Sequence, residues 1–258
     1  MSQECACICT MAINADSLAQ LRDILVKSKR FVFLTGAGIS QESGIPTFRG
    51  NDGLWKTHDP AKLASLSSFL ENPSLVWGFY SYRQKMISKC RPNPAHLAIS
   101  KIEEQKKGDS WVLTQNVDNL HRLAGSKNIV ELHGNIFKLI CIRCGYSGYM
   151  DMDMDMVLPP KCTDCESVLK PGVVMFEEAL PQKEWGTAIE LSSSCDLMFI
   201  VGTSLNVSPV NTLPYYAKDN NAVLVEVNPE ETWLSRFMDF SIKGSSADVL
   251  PNIYNLMK

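Results

Sequence analysis

Three features are missing from this 258-residue chain, and each absence excludes a class of protein. No apolar run reaches the roughly 18 residues that a helix needs to cross a bilayer, so we expect no membrane span. No secretory apolar segment precedes the cysteines, so we expect no disulfide framework. Positive charge is not in excess, since 25 Lys and Arg stand against 28 Asp and Glu for a net charge of −3. That balance argues against a nucleic-acid-binding surface built on bulk positive charge.

The N-terminal segment does not match a targeting signal. The first 21 residues contain no Lys or Arg but do contain Glu4 and Asp16, which is a poor match to an Arg-rich mitochondrial presequence. The cytoplasm or the nucleus is therefore the expected compartment. Cys5, Cys7 and Cys9 form no partner pattern, and we expect residues 1–14 to be a disordered tail.

Four of the nine cysteines form two Cys-x-x-Cys pairs. Cys141 and Cys144 are followed, after seventeen residues, by Cys162 and Cys165. This spacing is typical of a four-thiolate zinc site, in which each pair directs two sulfurs to one tetrahedral ion. Four protein ligands close the coordination sphere, so the predicted zinc is structural and not catalytic. A redox pair or free thiols are the alternatives.

The segment around which the chain is organised is an apolar run that ends in a glycine turn. Residues 31–35 read as a strand covered on both faces of a parallel sheet. Gly36 and Gly38 then allow a tight turn and a close approach to a phosphate at the start of a helix. A dinucleotide fingerprint expects a third glycine where this chain has Gln41, so a plain turn remains the alternative.

Further apolar strands alternate with helical segments along the chain. Strands are predicted at 110–114, 129–132, 196–202 and 222–228, and helices at 16–29, 61–90 with a break at Asn72-Pro73, 92–107 and 246–257. This alternation predicts an α/β fold with a doubly wound parallel sheet, whose ligands bind at the carboxyl ends of the strands. The strand ends therefore form a list of candidate site residues: Thr35 to Gly38, Gln115 to Asp118, His133-Gly134, Gly202 to Ser204, and Asn228 to Glu230.

His133 is the candidate general base, because an imidazole titrates near neutral pH without much tuning. A purely structural histidine is the alternative. Gln115, Asn116 and Asp118 follow the neighbouring strand, and two amides with one carboxylate suit ribose hydroxyls and a carboxamide better than phosphate.

Several motifs together identify a family that the chain resembles. They are Gly36-Ala-Gly-Ile-Ser40, Gly44-Ile-Pro-Thr-Phe-Arg49, Thr114-Gln-Asn-Val-Asp118, Leu132-His-Gly134, the four cysteines, Gly202-Thr-Ser204 and Val227-Asn228. In order and spacing they resemble the sirtuins, the NAD-dependent protein lysine deacylases, from about residue 31 to about residue 250.

The resemblance implies a Rossmann-like domain, here 15–135 and 172–258, with an inserted zinc-ribbon domain at 136–171. Part of the helical segment 52–95 is expected to cover the cleft between them, where NAD and an acyl-lysine peptide or protein bind. The implied NAD-binding residues are Gly36, Ala37, Gly38, Ser40, Phe48, Arg49, Gln115, Asn116, Asp118, Gly202, Thr203, Ser204, Asn228, Pro229, Glu230 and Ser246.

The resemblance also implies a reaction. The acyl oxygen displaces nicotinamide at the ribose carbon, His133 acts as the base on a ribose hydroxyl, and Asn116 is the second catalytic residue. Water then releases free lysine and O-acyl-ADP-ribose. A peptide strand is expected at Val173, Val174 and Phe176, although this chain has Phe176-Glu-Glu178 where family members usually have Phe-Gly-Glu. Peptide preference is therefore not carried over.

Within the family the chain resembles the desuccinylase and demalonylase subgroup through Ala64, Tyr80 and Arg83. Tyr80 and Arg83 lie three positions apart and share one helical face, where a guanidinium and a hydroxyl can bind a carboxylate. Ala64 leaves room for a succinyl, malonyl or glutaryl chain. This subgroup makes mitochondria a second candidate compartment. A plain deacetylase or mono-ADP-ribosyltransferase, an NAD-dependent dehydrogenase and a zinc-ribbon binding module are the alternatives.

Overall fold

The structure, a computed structural model, describes residues 14–48, 53–56, 59–151 and 157–258. Its main sheet has six parallel strands in the order β3-β2-β1-β7-β8-β9. The strands are β1 (Phe31–Thr35), β2 (Ser110–Thr114), β3 (Ile129–Glu131), β7 (Leu197–Val201), β8 (Val223–Asn228) and β9 (Phe240–Lys243). Because β1 lies at the centre, the order of connections reverses beside it, and this is where a doubly wound sheet opens a ligand crevice.

Helices cover both faces of this sheet because successive strand side chains alternate between two cores. Phe31 and Phe33 pack on one side with α1 (Ala15–Lys27), α5 (Pro94–Gln105) and α9 (Ser246–Leu256). Val32 and Leu34 pack on the other side with α7 (Gln182–Ser194) and α8 (Leu213–Asp219). The predicted α/β fold with a doubly wound parallel sheet is therefore confirmed.

The edge strand β9 was not predicted from the sequence. Phe240-Ser-Ile-Lys243 alternates between partly buried and exposed side chains, with only Ile242 fully buried. An edge strand of four residues lacks the continuous apolar run by which the buried strands are recognised.

The helical segment after the glycine turn also differs from the prediction in one detail. It forms α2 (Pro60–Leu63), α3 (Leu66–Glu71) and α4 (Pro73–Ile87), so there is a break at Ala64-Ser65 in addition to the predicted break at Asn72-Pro73. Ser65 causes it, since its hydroxyl accepts a hydrogen bond from the Ser68 amide and caps α3. Likewise, Gly36 leads into a 3₁₀-helix, Ala37–Ser43, and not an α-helix.

A second, antiparallel sheet has the order β5-β4-β6. It contains β4 (Gly134–Ile140), β5 (Ser147–Tyr149) and β6 (Lys170–Val173). Helix α4 packs on it through a third core that includes Trp77 and Ile136, and the Trp77 indole donates a 2.8 Å hydrogen bond to the Leu169 carbonyl. The short α6 (Leu120–Leu123) follows β2.

Within the described ranges, no helix has the length and apolarity that crossing a membrane requires. The predicted N-terminal tail lies outside the described residues, apart from Asn14, which caps α1.

Candidate active site

A cavity of about 980 Å³ opens at the carboxyl ends of β1, β2, β7 and β8 and extends to the end of β6. Its volume is at the upper end of the range of small-molecule sites. Most of the residues predicted for the site line it: Gly36, Ala37, Gly38, Phe48, Ala64, Tyr80, Arg83, Gln115, Asn116, His133, Val173, Val174, Phe176, Gly202, Thr203, Ser204, Asn228, Pro229 and Glu230.

Three predicted residues do not line this cavity. Ser40 and Asp118 are buried behind Asn116, where the Ser40 hydroxyl donates a 2.7 Å hydrogen bond to Asp118. Ser246 lies in the first turn of α9, is 4% exposed, and its hydroxyl has no hydrogen-bond partner among the described residues. Its predicted direct contact with NAD is therefore not supported by its position. Arg49 lies outside the described residues.

The glycines of the turn also accommodate protein backbone, a role that the sequence did not predict. A Cβ added to Gly38 would lie 2.8 Å from Gly202 Cα and 2.8 Å from the Gly202 carbonyl oxygen. The Gly38 amide donates a 2.8 Å hydrogen bond to that same carbonyl. The turn after β1 and the turn after β7 therefore pack backbone to backbone and form one continuous floor of the cavity.

Asn116 links the segment after β2 to the turn after β1 at the bottom of the site. Its side-chain amide donates hydrogen bonds of 3.0 Å to the Gly36 carbonyl and 3.2 Å to the Ser40 hydroxyl. Ser40 in turn holds Asp118, whose pKa is raised by burial and lowered in part by hydrogen bonds from Leu120 and Ser40. The predicted Asn116, Ser40 and Asp118 thus form one buried hydrogen-bonded group.

His133 presents a defined nitrogen to the cavity. Its Nδ1 lies 3.1 Å from the Gln115 carbonyl oxygen, which can only accept, so Nδ1 carries the proton of the neutral ring. Nε2 is therefore the nitrogen left to take a proton. Burial lowers the pKa of His133, an effect that the hydrogen bond to Gln115 partly offsets. Gly134 has φ +78, and a Cβ there would overlap the Gly172 carbonyl oxygen, so this glycine permits the close antiparallel pairing of β4 with β6.

Arg83 is a buried cation in the wall of the cavity. It is 3% exposed, and its Nε has no hydrogen-bond partner among the described residues. The guanidinium carbon lies 4.5 Å from the centre of the Phe48 ring and 5.7 Å from that of Phe79. Burial lowers the pKa of Arg83, and the nearby Tyr80 and Asp118 raise it. Burial raises the pKa of Tyr80, so its hydroxyl stays protonated and can donate.

Several aromatic lining residues were not predicted from the sequence. Trp55 has its ring centre 5.3 Å from that of Phe48, 6.1 Å from Phe79 and 6.3 Å from Phe176. Trp233 also lines the cavity, and its indole donates a hydrogen bond to the Leu205 carbonyl. Single aromatics in irregular segments have no periodicity that would assign them to a site, although Trp55 follows the Phe48 motif closely.

A tight turn follows the predicted peptide strand. The Glu178 amide donates a 3.1 Å hydrogen bond to the Met175 carbonyl, and Glu177 has φ 76. A non-glycine residue in this left-handed conformation costs roughly 1–3 kcal/mol. The Glu177 carboxylate accepts 2.9 Å hydrogen bonds from both the amide and the hydroxyl of Ser67, which lies on α3.

The four predicted zinc ligands meet at one point. The sulfurs of Cys141, Cys144, Cys162 and Cys165 all lie within 4.8 Å of one another, with pairs at 3.5 Å and 3.6 Å. Zinc bound tetrahedrally at about 2.3 Å requires sulfurs roughly 3.8 Å apart. This cluster fits a structural zinc ion, which would hold the loops beside β4 and β6 together.

Comparison with known proteins assigns the family. The sequence model described as "Sir2 family" matches residues 36–209, more than half of the chain. The chain belongs to the Sir2 family. Among its relatives, the NAD-dependent protein deacylase 1 of Caldanaerobacter subterraneus subsp. tengcongensis is 50% identical over 216 residues, or 84% of this chain and 89% of the relative.

Solved Sir2 structures have the same fold. One, a Sir2 homologue in complex with NAD, has a TM-score of 0.87 and 37% identity and covers 93% of each chain. Another, a Sir2 protein bound to a myristoylated histone peptide, has a TM-score of 0.73 and 35% identity and covers 95% of this chain and 98% of that one. The cavity floor formed by the two turns and the polar strand ends of this Sir2 chain fit NAD.

Proposed function

We propose that this Sir2-family enzyme, an NAD-dependent protein deacylase, removes acyl groups that end in a carboxylate from protein lysines. Succinyl, malonyl and glutaryl groups share that feature. The proposal rests on the environment of Arg83. Its guanidinium is buried in the wall of the cavity, and its Nε has no hydrogen-bond partner among the described residues.

A buried guanidinium whose N–H donors are not all satisfied is costly, and a ligand that hydrogen-bonds to it lowers the cost. A guanidinium binds a carboxylate through two parallel N–H···O bonds, and the protonated Tyr80 hydroxyl can add a third. Phe48 and Phe79 lie beside the guanidinium and exclude water from it. An acetyl group offers no atom to this pair, so it leaves the Arg83 donors unsatisfied.

The small side chain of Ala64 supports the same assignment. Ala64 is buried, lines the cavity with Tyr80 and Arg83, and ends the short helix α2. A larger side chain at this point would occupy space beside Tyr80 and Arg83. The combination of a small wall residue with a buried cation suits an acyl chain that is both longer than acetyl and charged.

His133 is proposed as the base that removes a proton from a ribose hydroxyl. Its Nδ1–H is held by the Gln115 carbonyl, so Nε2 can accept that proton at a pKa below the usual value for histidine. Asn116 is proposed to orient the ribose, because its amide already fixes Gly36 and Ser40 beneath that position. Acyl-lysine proteins and peptides are the proposed partners.

The proposal is tested by kcat/KM for succinyl, malonyl and acetyl forms of one peptide. Arg83→Met should lower kcat/KM for the succinyl and malonyl peptides by roughly 10²–10⁴-fold, because sites built to bind a polar group reject analogues without it strongly. The acetyl reaction should be unchanged or faster. Arg83→Lys retains the positive charge but loses the paired N–H donors of the guanidinium. Its kcat/KM for the succinyl and malonyl peptides should therefore fall between the values of the wild type and Arg83→Met.

Arg22→Met is the matched control, since Arg22 is exposed on α1. Equal losses on all three peptides in Arg83→Met, or a wild-type preference for acetyl, would favour the second candidate, a plain deacetylase. A mono-ADP-ribosyltransferase would instead transfer ADP-ribose to the protein without releasing the acyl group. One solved relative holds a myristoylated histone peptide, whose acyl chain has no terminal carboxylate.

A further inference from the structure

We propose that Glu177 is a positioning residue that fixes the cavity wall formed by Ala64 and Phe176. It does so by binding Ser67 on α3, and it thereby preorganises the part of the site that receives the acylated side chain. This inference rests on the proposed deacylase site but not on the charge of the acyl group.

Two segments meet at this wall through a short parallel ladder. The Phe176 amide donates a 2.8 Å hydrogen bond to the Ala64 carbonyl, and the Leu66 amide donates a 3.1 Å hydrogen bond to the Phe176 carbonyl. Ser65 and Phe176 form the corresponding β-bridge. One bridge closed by two hydrogen bonds is a minimal contact, so the relative position of Ala64 and Phe176 depends on what lies next to it.

Glu177 and Ser67 extend that contact by one residue in each of the two segments. Ser67 is the residue after Leu66, and both its amide and its hydroxyl donate 2.9 Å hydrogen bonds to the two carboxylate oxygens of Glu177. The link therefore doubles the number of hydrogen bonds between the two segments. Ala64 and Phe176 both line the cavity, so any separation of the segments changes the shape of the wall.

The backbone of Glu177 supports a specific role for its side chain. Its φ of 76 is a conformation that glycine adopts without cost and other residues adopt rarely. The turn from Met175 to Glu178 would form as well or better with glycine at this position. A glutamate held there against its backbone preference is explained by the two bonds that its carboxylate accepts from Ser67.

Four variants separate the effect of the Glu177–Ser67 hydrogen bonds from the effect of the backbone conformation at residue 177. Glu177→Gly relaxes the turn and removes the carboxylate. Glu177→Asn tolerates the left-handed conformation but is one methylene too short to reach Ser67. Glu177→Gln keeps the length and one carbonyl oxygen for the Ser67 amide. Ser67→Ala removes the hydroxyl and leaves the hydrogen bond from the backbone amide of residue 67 to Glu177 in place.

Steady-state kinetics with an acetyl and a succinyl form of one peptide provide the readout. Glu177→Gly and Glu177→Asn should raise KM for both peptides by the same factor, about threefold to tenfold, as the loss of two partly exposed hydrogen bonds implies. KM for NAD should stay at the wild-type value. Glu177→Gln should restore most of the affinity, and Ser67→Ala should add nothing in the Glu177→Asn background.

Wild-type peptide KM in both Glu177→Gly and Glu177→Asn would overturn the inference. Effects of Ser67→Ala and Glu177→Asn on peptide KM that multiply in the double variant would also overturn it. An equal rise in KM for NAD would do so too, because it would indicate a general structural effect. Because Glu177→Gly relieves strain, loss of folding is not expected, and its melting temperature checks this. Equal losses of kcat/KM on the succinyl, malonyl and acetyl peptides in Arg83→Met would contradict the proposed specificity while leaving this test intact.

Discussion

At the scale of single residues, the orientation of His133 determines which of its nitrogens can act. The Gln115 carbonyl fixes the proton on Nδ1, so Nε2 is free to accept one. Burial lowers the pKa of the ring, so the basic form persists at mildly acidic pH. The same hydrogen bond sets the direction of the ring toward the cavity.

Replacement of His133 by Ala should abolish most of the turnover. Loss of a general base costs on the order of 10²–10⁴-fold in rate. NAD binding, measured by calorimetry, should change little, because the cavity floor is made by the two turns and Asn116. Turnover close to the wild-type value in this variant would show that His133 is structural.

The pH dependence of kcat/KM provides a second test of the same residue. The lowered pKa of His133 means that the acid limb of the profile should lie below the usual histidine value of about 6.5. Activity should therefore be retained as the pH falls from 7 to about 6.5 and be lost only below that. An acid limb centred above 6.5 would mean that another group acts as the base, or that His133 is more solvated than its burial indicates.

Single residues were predicted from the sequence where a local pattern identifies them. The four cysteines and His133 were predicted because a spacing or a strand end identifies them. Ser246 was predicted as an NAD contact and is instead buried at the start of α9. The bonds between Glu177 and Ser67 join residues 110 positions apart and have no local pattern that could have revealed them.

At the scale of elements, α5 and α6 meet beneath the site through two buried histidines. The rings of His96 and His121 have their centres 4.9 Å apart. The Asn93 amide donates to His96 Nδ1 at 3.4 Å, so the neutral ring carries its proton on Nε2. His121 Nε2 lies 3.0 Å from the Thr35 hydroxyl, which itself donates to Thr114, so His121 Nδ1 is an acceptor. The two remaining nitrogens are complementary, and neither has a partner among the described residues.

These histidines should make stability fall in acid. Burial lowers the pKa of His96 to about 4, and burial together with His96 lowers the pKa of His121. The unfolded chain therefore binds protons that the folded chain does not, and the free energy of unfolding should decrease as the pH falls below about 6.5 toward 4. For His96 alone the full effect is about 3 kcal/mol.

His96→Gln isolates this contribution, because Gln at the third helical position can still complete the capping box of α5. Denaturant unfolding at pH 7 and pH 5 should show a smaller pH dependence in the variant than in the wild type. The same loss of stability between these two pH values in both proteins would contradict the assignment.

The zinc-ribbon element should contribute stability and not chemistry. Chelation, or Cys141→Ser, should lower the melting temperature and reduce activity in parallel, because binding of structural zinc contributes directly to folding free energy. Cys195→Ser is a control, since Cys195 is buried far along the chain on the edge of another core and is not one of the clustered cysteines. A metal-free protein with unchanged melting and turnover would contradict a structural zinc.

Elements were predicted well where one strong pattern dominates. The buried strands β1, β2, β7 and β8 have continuous apolar runs, and their observed ends lie within one residue of the predicted ones. The edge strand β9 and the break at Ala64-Ser65 were missed, because the first is stabilised by pairing with β8 and the second by a hydroxyl cap and by the ladder to Phe176.

At the scale of the whole molecule, three cores fix the shape of the site. Two lie on opposite faces of the six-stranded sheet, and the third joins α4 to the small sheet. The cavity lies where the strand ends of the large sheet approach β6, and it combines a polar floor with a wall that contains Arg83 and aromatic rings. The floor follows from the order of the strands, and this wall follows from the packing of α4. Sequence patterns predicted the strand ends, whereas the packing of α4 depends on contacts between distant segments.

The most direct test of the account compares a succinyl-lysine peptide with its neutral isostere, in which the terminal carboxylate is replaced by a carboxamide. The two substrates have nearly the same size, so the ratio of their kcat/KM values isolates the charge that Arg83 would bind. We expect the wild type to prefer the succinyl peptide by about 10²-fold or more, and we expect Arg83→Met to abolish most of this preference. Equal kcat/KM for both peptides in the wild type would contradict the central claim that the site is built for an anionic acyl group.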